Sequence, residues 1–144
     1  PMQPATRLND DRGAATVEFA AILVPLMVLV LGIISYGYML SFRQAISQAA
    51  AEGARAAAVT PAGLPNADRE ARALDAVDRA VGYGVTCASP GMTCTVVVDD
   101  TCGLHGCAFV ELDYDYGAFP LIPAVGSLVP MPDHLVYEAS AEVS

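Results

Sequence analysis

From Phe19 to Phe42 the chain reads FAAILVPLMVLVLGIISYGYMLSF, 24 residues without a charge. As α-helix this run is about 36 Å long, against a hydrocarbon core of about 30 Å. The buried core helix of a soluble domain is usually amphipathic, whereas this run is apolar all round, so a membrane span is the expected reading. Pro25 lies inside it and would free a backbone carbonyl and kink the helix, which membrane helices tolerate. Tyr36, Tyr38 and Phe42 stand where an aromatic belt would be, and Gly37 and Ser41 form a small-xxx-small pair suited to a neighbouring helix.

A secretory signal peptide has a shorter apolar core and a small-residue cleavage site after it. Here RQAISQAAAEGARAAAV follows, and its alanines favour further helix, with Gly53 the weak point. One helix is therefore predicted from Ala14 to Val59, about 69 Å long, stopped by Thr60-Pro61. Pro1 precedes Met2; it is expected to be an added residue or the edge of a truncated reading frame and is set aside.

Charge narrows the function. Seven Arg and no Lys face sixteen acids, for a net charge of −9, which excludes a general nucleic-acid binder. Arg7 and Arg12 precede the span, and Arg43 and Arg55 follow it, so charge alone does not orient the helix. A short cytoplasmic tail with the rest outside fits best. There is no Trp, and the two His, His105 and His134, are too few for a His-based catalytic or metal site.

Before the span the sequence is RGAATVEF, residues 12–19, with Glu18 directly ahead of the apolar run. An acid near a helix N-terminus favours the macrodipole and needs no further role. Yet a polar basic leader, Gly13, four small or apolar residues, Glu18, the aromatic Phe19 and a long apolar helix resemble a type IV prepilin. The longer pattern resembles the TadE-like family of minor pilins, or pseudopilins, of tight-adherence (Flp) pilus systems. It is carried by Arg12-Gly13-Ala14, Val17-Glu18-Phe19-Ala20, Pro25-Leu26, Gly32, Gln44-Ala45 and Glu52-Gly53-Ala54-Arg55. Weaker likeness returns at Val110 to Tyr116 and Leu135 to Glu142. TadF and TadG relatives share this N-terminal half, so the subtype stays open; the short length argues against the larger ones.

The resemblance implies a leader over 1–13, cut by a prepilin peptidase between Gly13 and Ala14. It implies an assembly helix over 14–59 and an extracytoplasmic head over 60–144. Glu18 and Phe19 then serve assembly and register. A carboxylate taken into lipid or a helix bundle needs a partner, and the amino group that cleavage exposes at Ala14 of a neighbouring subunit would supply one. The implied partners are the peptidase, other pilin subunits, the pilus assembly platform and membrane lipid. The chain would sit as a single-pass protein of the cytoplasmic membrane, and after assembly in a surface pilus.

The expected fold class is α+β: the long helix, then a small head with an amphipathic helix on an antiparallel sheet of about three strands. TPAGLPN, residues 60–66, is turn-rich. A helix follows from Ala67 to Val81, capped by Asn66, with Ala67, Ala71, Leu74, Val77 and Val81 as its apolar stripe. Its mixed charges, Asp68, Glu70, Arg72, Asp75, Asp78 and Arg79, form a solvated face. TCTVVVDD from Thr93 and CAFVELDYDYG from Cys107 pair as a hairpin around a loop, with Glu111, Asp113 and Asp115 on the polar side. Leu135 to Val143 is the third strand. These strands are expected to pack on the amphipathic helix, and about 85 residues can fold alone, marginally.

Asp99, Asp100, Asp113 and Asp115 are oxygen donors, but calcium needs a shaped loop, and no DxDxDG stretch occurs. Cys87, Cys94, Cys102 and Cys107 lack the CxxC spacing of a zinc site. Outside the membrane they are expected to be oxidised, as Cys87–Cys94 and Cys102–Cys107. His105 and His134 read as loop residues. No metal, cofactor or catalytic residue is expected. The alternative function is a membrane-anchored binding module or adhesin that is not cleaved; an anchored enzyme lacks any nucleophile–base pair.

Overall fold

The computed structural model describes residues 11–61, 63–122 and 130–143. Most of the expected leader, residues 1–10, lies outside them.

The first helix, α1, runs Asp11–Ala58, three residues earlier than the sequence pattern predicts. Gly13 does not interrupt it, and α1 stays helical through Pro25, although the ring removes the bond to the Ala21 carbonyl. At its far end, Thr60 Oγ1 donates to the Ala56 carbonyl at 2.9 Å, and Arg69 Nη1 donates to the Ala57 carbonyl at 3.3 Å. Two of the carbonyls that a helix end leaves orphaned are thus bonded, the second by a cation that also suits the C-terminal dipole.

The second helix, α2, spans Asn66–Val81. Two sequence expectations need correction here. Asn66 is not the cap: Pro65 holds that position with no side-chain bond, while Asn66 Nδ2 reaches the Asp100 carboxylate at 3.1 and 3.4 Å. The buried stripe is Arg69, Ala73, Val77 and Val81, with Ala67 and Ala71 outside it. The face is turned because Arg69 is drawn to the end of α1 and small Ala73 lets the two helices close up.

Three antiparallel strands follow: β1 Met92–Asp99, β2 Cys107–Asp115 and β3 His134–Glu142, in the order β1-β2-β3. The register places Val96, Val110 and Ala139 in one row and Cys94, Leu112 and Tyr137 in another. Period-two alternation sends Ala108, Val110, Leu112 and Tyr114 inward and Phe109 and Glu111 outward. The disulfide Cys87–Cys94 ties the α2–β1 connection to β1, and Cys102–Cys107 closes the hairpin loop.

The sheet does not rest on α2 alone. Its inner face covers the second half of α1, so that Met39, Phe42, Ile46, Ala50, Ala54 and Ala57 form one core with Val77, Val81, Val110, Leu112 and Tyr114. Residues 60–144 therefore do not close a core by themselves; α1 runs through it. Its buried positions 35, 39, 42, 46, 49, 50, 53, 54 and 57 recur at steps of three and four, which makes one stripe along the helix.

Candidate functional site

The N-terminal part of α1 stands clear of the head. Val17 is 70% exposed, Phe19 66% and Ile33 65%, and the most apolar 18-residue window has none of its residues buried. In a soluble protein such a surface would be untenable, because contiguous exposed apolar patches rarely exceed a few hundred Å². Among the described residues this is the one helix long and apolar enough to cross a membrane.

The junction residues all lie on this free part. Gly13 is exposed, and a Cβ placed on it would meet nothing within 4 Å. Ala14, Glu18 and Phe19 are likewise exposed. Ala14 and Glu18 are four residues apart, so they share a helix face about 6 Å apart along the axis. A helix beginning at Ala14 would hold Glu18 near its first turn, where a carboxylate favours the dipole.

The free part ends earlier than the uncharged run does. Ser35 and Met39 are each 2% exposed and Phe42 is fully buried, because the head docks there. Phe42 lies edge-on to Tyr83 and Tyr114, with centroids 5.3 and 4.9 Å away, so it is a core residue and not part of an aromatic belt. Tyr36 and Tyr38 remain partly exposed. Ser41 hydrogen-bonds to the Tyr83 hydroxyl, so half of the small-xxx-small pair is engaged by the head, whereas Gly37 stays open. Arg43 Nε donates to the Tyr137 hydroxyl.

Gly53 is a point of close approach. A Cβ there would lie 2.7 Å from Val77 Cγ2, 3.3 Å from the Ala73 carbonyl oxygen and 3.4 Å from Val110 Cγ1. The residue read as a weak spot in the helix is the place where α2 and β2 press onto α1. Its neighbours Glu52 and Arg55 are exposed.

The acidic residues of the head do not converge. Asp99 pairs with Cys107 at one end of the hairpin and Asp113 with Thr93 towards the other, about 20 Å apart along β2. Among the described residues no three of His, Cys, Asp and Glu form a metal-holding group. Asp99 instead accepts from the Thr101 hydroxyl and amide, which hold its carboxyl below the usual range. His134 is the first residue of β3 and not a free turn residue. Its Nδ1 lies 3.0 Å from Asp113 Oδ1, and that hydrogen bond and charge push its pKa up, with smaller help from Asp115 and Asp133. Burial raises the Tyr114 and Tyr116 hydroxyls.

Against known families, one stretch of the chain finds a match. Residues 13–55 match the family model of TadE-like proteins. The matched stretch opens on Gly13 and closes on Arg55, so it takes in the free apolar helix and the part of α1 that receives the head up to just past the Gly53 crossing. No curated protein and no solved structure matches the chain. The TadE-like match associates the chain with tight-adherence pilus systems and, with the apolar helix, with membrane anchoring.

Sequence reasoning misses Arg69. A lone Arg in a mixed-charge helix carries no signal of burial; only the end of α1 beside it makes it a cap. It also passes over the loop at Gly117–Ile122, whose backbone Tyr114 holds by donating its hydroxyl to the Phe119 carbonyl at 2.9 Å.

Proposed function

We propose that the protein is a minor pilin of a tight-adherence pilus, made as a precursor and cut between Gly13 and Ala14 by a prepilin peptidase. The observation that carries this reading is the TadE-like stretch starting at Gly13, joined to an apolar helix whose first half no described residue covers. Before cleavage, that helix anchors the chain with the head outside the cytoplasm. After cleavage, the new amino group at Ala14 gives a neighbouring subunit's Glu18 a charge partner, and the pair sets register between packed helices. The exposed face from Phe19 to Ile34 packs against other subunits. Residues of the head do no chemistry; they present a surface.

Intact mass of the membrane-extracted protein, with and without the cognate peptidase, tests this. Loss of residues 1–13 in the presence of peptidase is the expected result. Gly13→Ala should abolish the loss without disturbing the fold, since its added methyl meets nothing and alanine favours helix by about 1 kcal/mol. Glu18→Ala should still be cut but fail to enter filaments. Equal processing of the wild type and Gly13→Ala would overturn the assignment, and an unchanged mass with active peptidase would leave a permanently anchored surface module.

A further inference from the structure

We infer that the end of the head nearest the free helix, built on the Gly117–Ile122 loop, rests in the interfacial layer of the membrane that α1 spans. This rests on the membrane-anchored reading above.

The head has a clear long axis. Near one end Arg69 meets Ala57; further along, Val77 and Val110 meet Gly53; then Tyr83 and Tyr114 meet Phe42. Last, Tyr116, Pro120, Ile122 and Met131 line a cavity together with Ser35. The loop after β2 is thus the part of the head closest to the apolar half of α1.

Helix length then sets the depth. With Glu18 at one boundary, a core of about 30 Å takes about 20 residues and ends near Tyr38. Ser35 lies only about 25.5 Å beyond Glu18 along the axis, so the loop beside it falls about 4.5 Å inside that boundary. Tilting the helix shortens its projection and deepens the loop. If instead the core begins at Ala14, about 31 Å of helix precedes Ser35, and the loop meets the membrane surface. Either register brings the loop to the lipid.

The loop's chemistry fits that place. Tyr116 to Ile122 and Pro130 to Pro132 carry no charge. Phe119 is 41% exposed although its ring packs over Gly91, whose φ of +84° and missing side chain make the room. Tyr36, Tyr38 and Tyr83 stand alongside, partly exposed, and tyrosine is a residue that the interface favours. Asp115 and Asp133 bracket the loop: Asp115 Oδ1 accepts from the Ala118 amide at 2.8 Å and the Asp133 carbonyl from the Gly117 amide at 2.9 Å. Their charges keep the loop at headgroup level.

The chain has no Trp, so single replacements report cleanly. Full-length Phe119→Trp, Phe109→Trp and Val30→Trp would be placed in phosphatidylethanolamine/phosphatidylglycerol vesicles containing lipid brominated near the carbonyl or near the methyl end. Phe109 is a matched control, 42% exposed but on the outer sheet face. Phe119→Trp should lose about half its emission to bromines near the carbonyl and shift to the blue, as a ring at headgroup level does, while Phe109→Trp keeps its emission. Pro120→Trp, at an exposed position, repeats the test should Phe119→Trp misfold. If Phe119→Trp and Pro120→Trp match Phe109→Trp while Val30→Trp is quenched by bromines near the methyl end, the span stands and the docked loop is refuted. If Val30→Trp itself is unquenched, the membrane reading falls and the docked loop with it.

Discussion

Gly53→Ala is a sharp test of how the head is built on α1. On an exposed helix this change stabilises by about 1 kcal/mol, because glycine is the costlier residue to order. Here the new methyl would stand 2.7 Å from Val77 Cγ2 and 3.3 Å from the Ala73 carbonyl oxygen. Val77 is fully buried and stiff at χ1, and a backbone carbonyl cannot swing away, so the helices must part. Overpacking of this kind costs about 1–3 kcal/mol, which outweighs the helix gain and leaves a net loss of about 1 kcal/mol. Val77→Ala alone removes two buried methyls and costs about 2 kcal/mol. In the double variant the methyl added at position 53 occupies space that Cγ2 vacates, so the loss should be about 1 kcal/mol where additivity predicts about 3, far outside the usual tolerance of about 0.3–0.5 kcal/mol. Urea unfolding of the full chain in non-ionic detergent reads this through near-UV dichroism of tyrosine, since Tyr38, Tyr83, Tyr114 and Tyr116 form one ring cluster with Phe42. A stabilised Gly53→Ala, or an additive pair, would refute the close crossing of α1 by α2.

Two other outcomes follow from the head. Arg69→Met keeps bulk but removes the buried donor to the Ala57 carbonyl, which keeps only the 3.3 Å bond from the Thr60 amide, so the same unfolding assay should show a loss of about 1 kcal/mol, while exposed Arg72→Met on the same helix changes stability by less than about 0.5 kcal/mol. His134, raised above 6.5 by Asp113, contributes stability that is fully present below 6.5 and is lost as pH rises through its folded value; its imidazole resonances should titrate above 6.5, and Asp113→Asn should return the midpoint towards 6.5.

What can be read in the sequence is whatever is periodic and local. An uncharged run needs no partner to declare itself, and neither does the alternation of Phe109, Glu111 and Asp113 against Val110, Leu112 and Tyr114. The element order and the α+β class rest on such patterns. What escapes depends on a second element. The stripe of α2 drawn from apolar spacing takes in Ala67 and Ala71, because alanine counts as apolar anywhere; Arg69, Ala73 and Val77 face inward only because α1 ends at Ala58 and carries no side chain at position 53. Asn66 has the composition of a cap, but Pro65 already sets the extended entry and the Asn66 amide group finds Asp100 across the loop. At the candidate site, Gly13 and Glu18 stand out by their place ahead of the span. Where the span stops being free is invisible, since Ser35, Met39 and Phe42 are as uncharged as the residues before them.

That last boundary decides how the two halves of the molecule act on each other. The stripe that begins at Ser35 and ends at Ala57 is continuous along one helix, so no linker separates the anchor from the head. Rotating or tilting the apolar half must therefore turn the sheet with it. A helix seated in a filament or a bilayer is free to slide and rotate only as far as its neighbours allow, and here the Gly53 crossing and the Phe42–Tyr83–Tyr114 cluster make the head one of those constraints. The helix fixes the head's direction, and the head in turn fixes how much of the helix is left exposed for other molecules to cover.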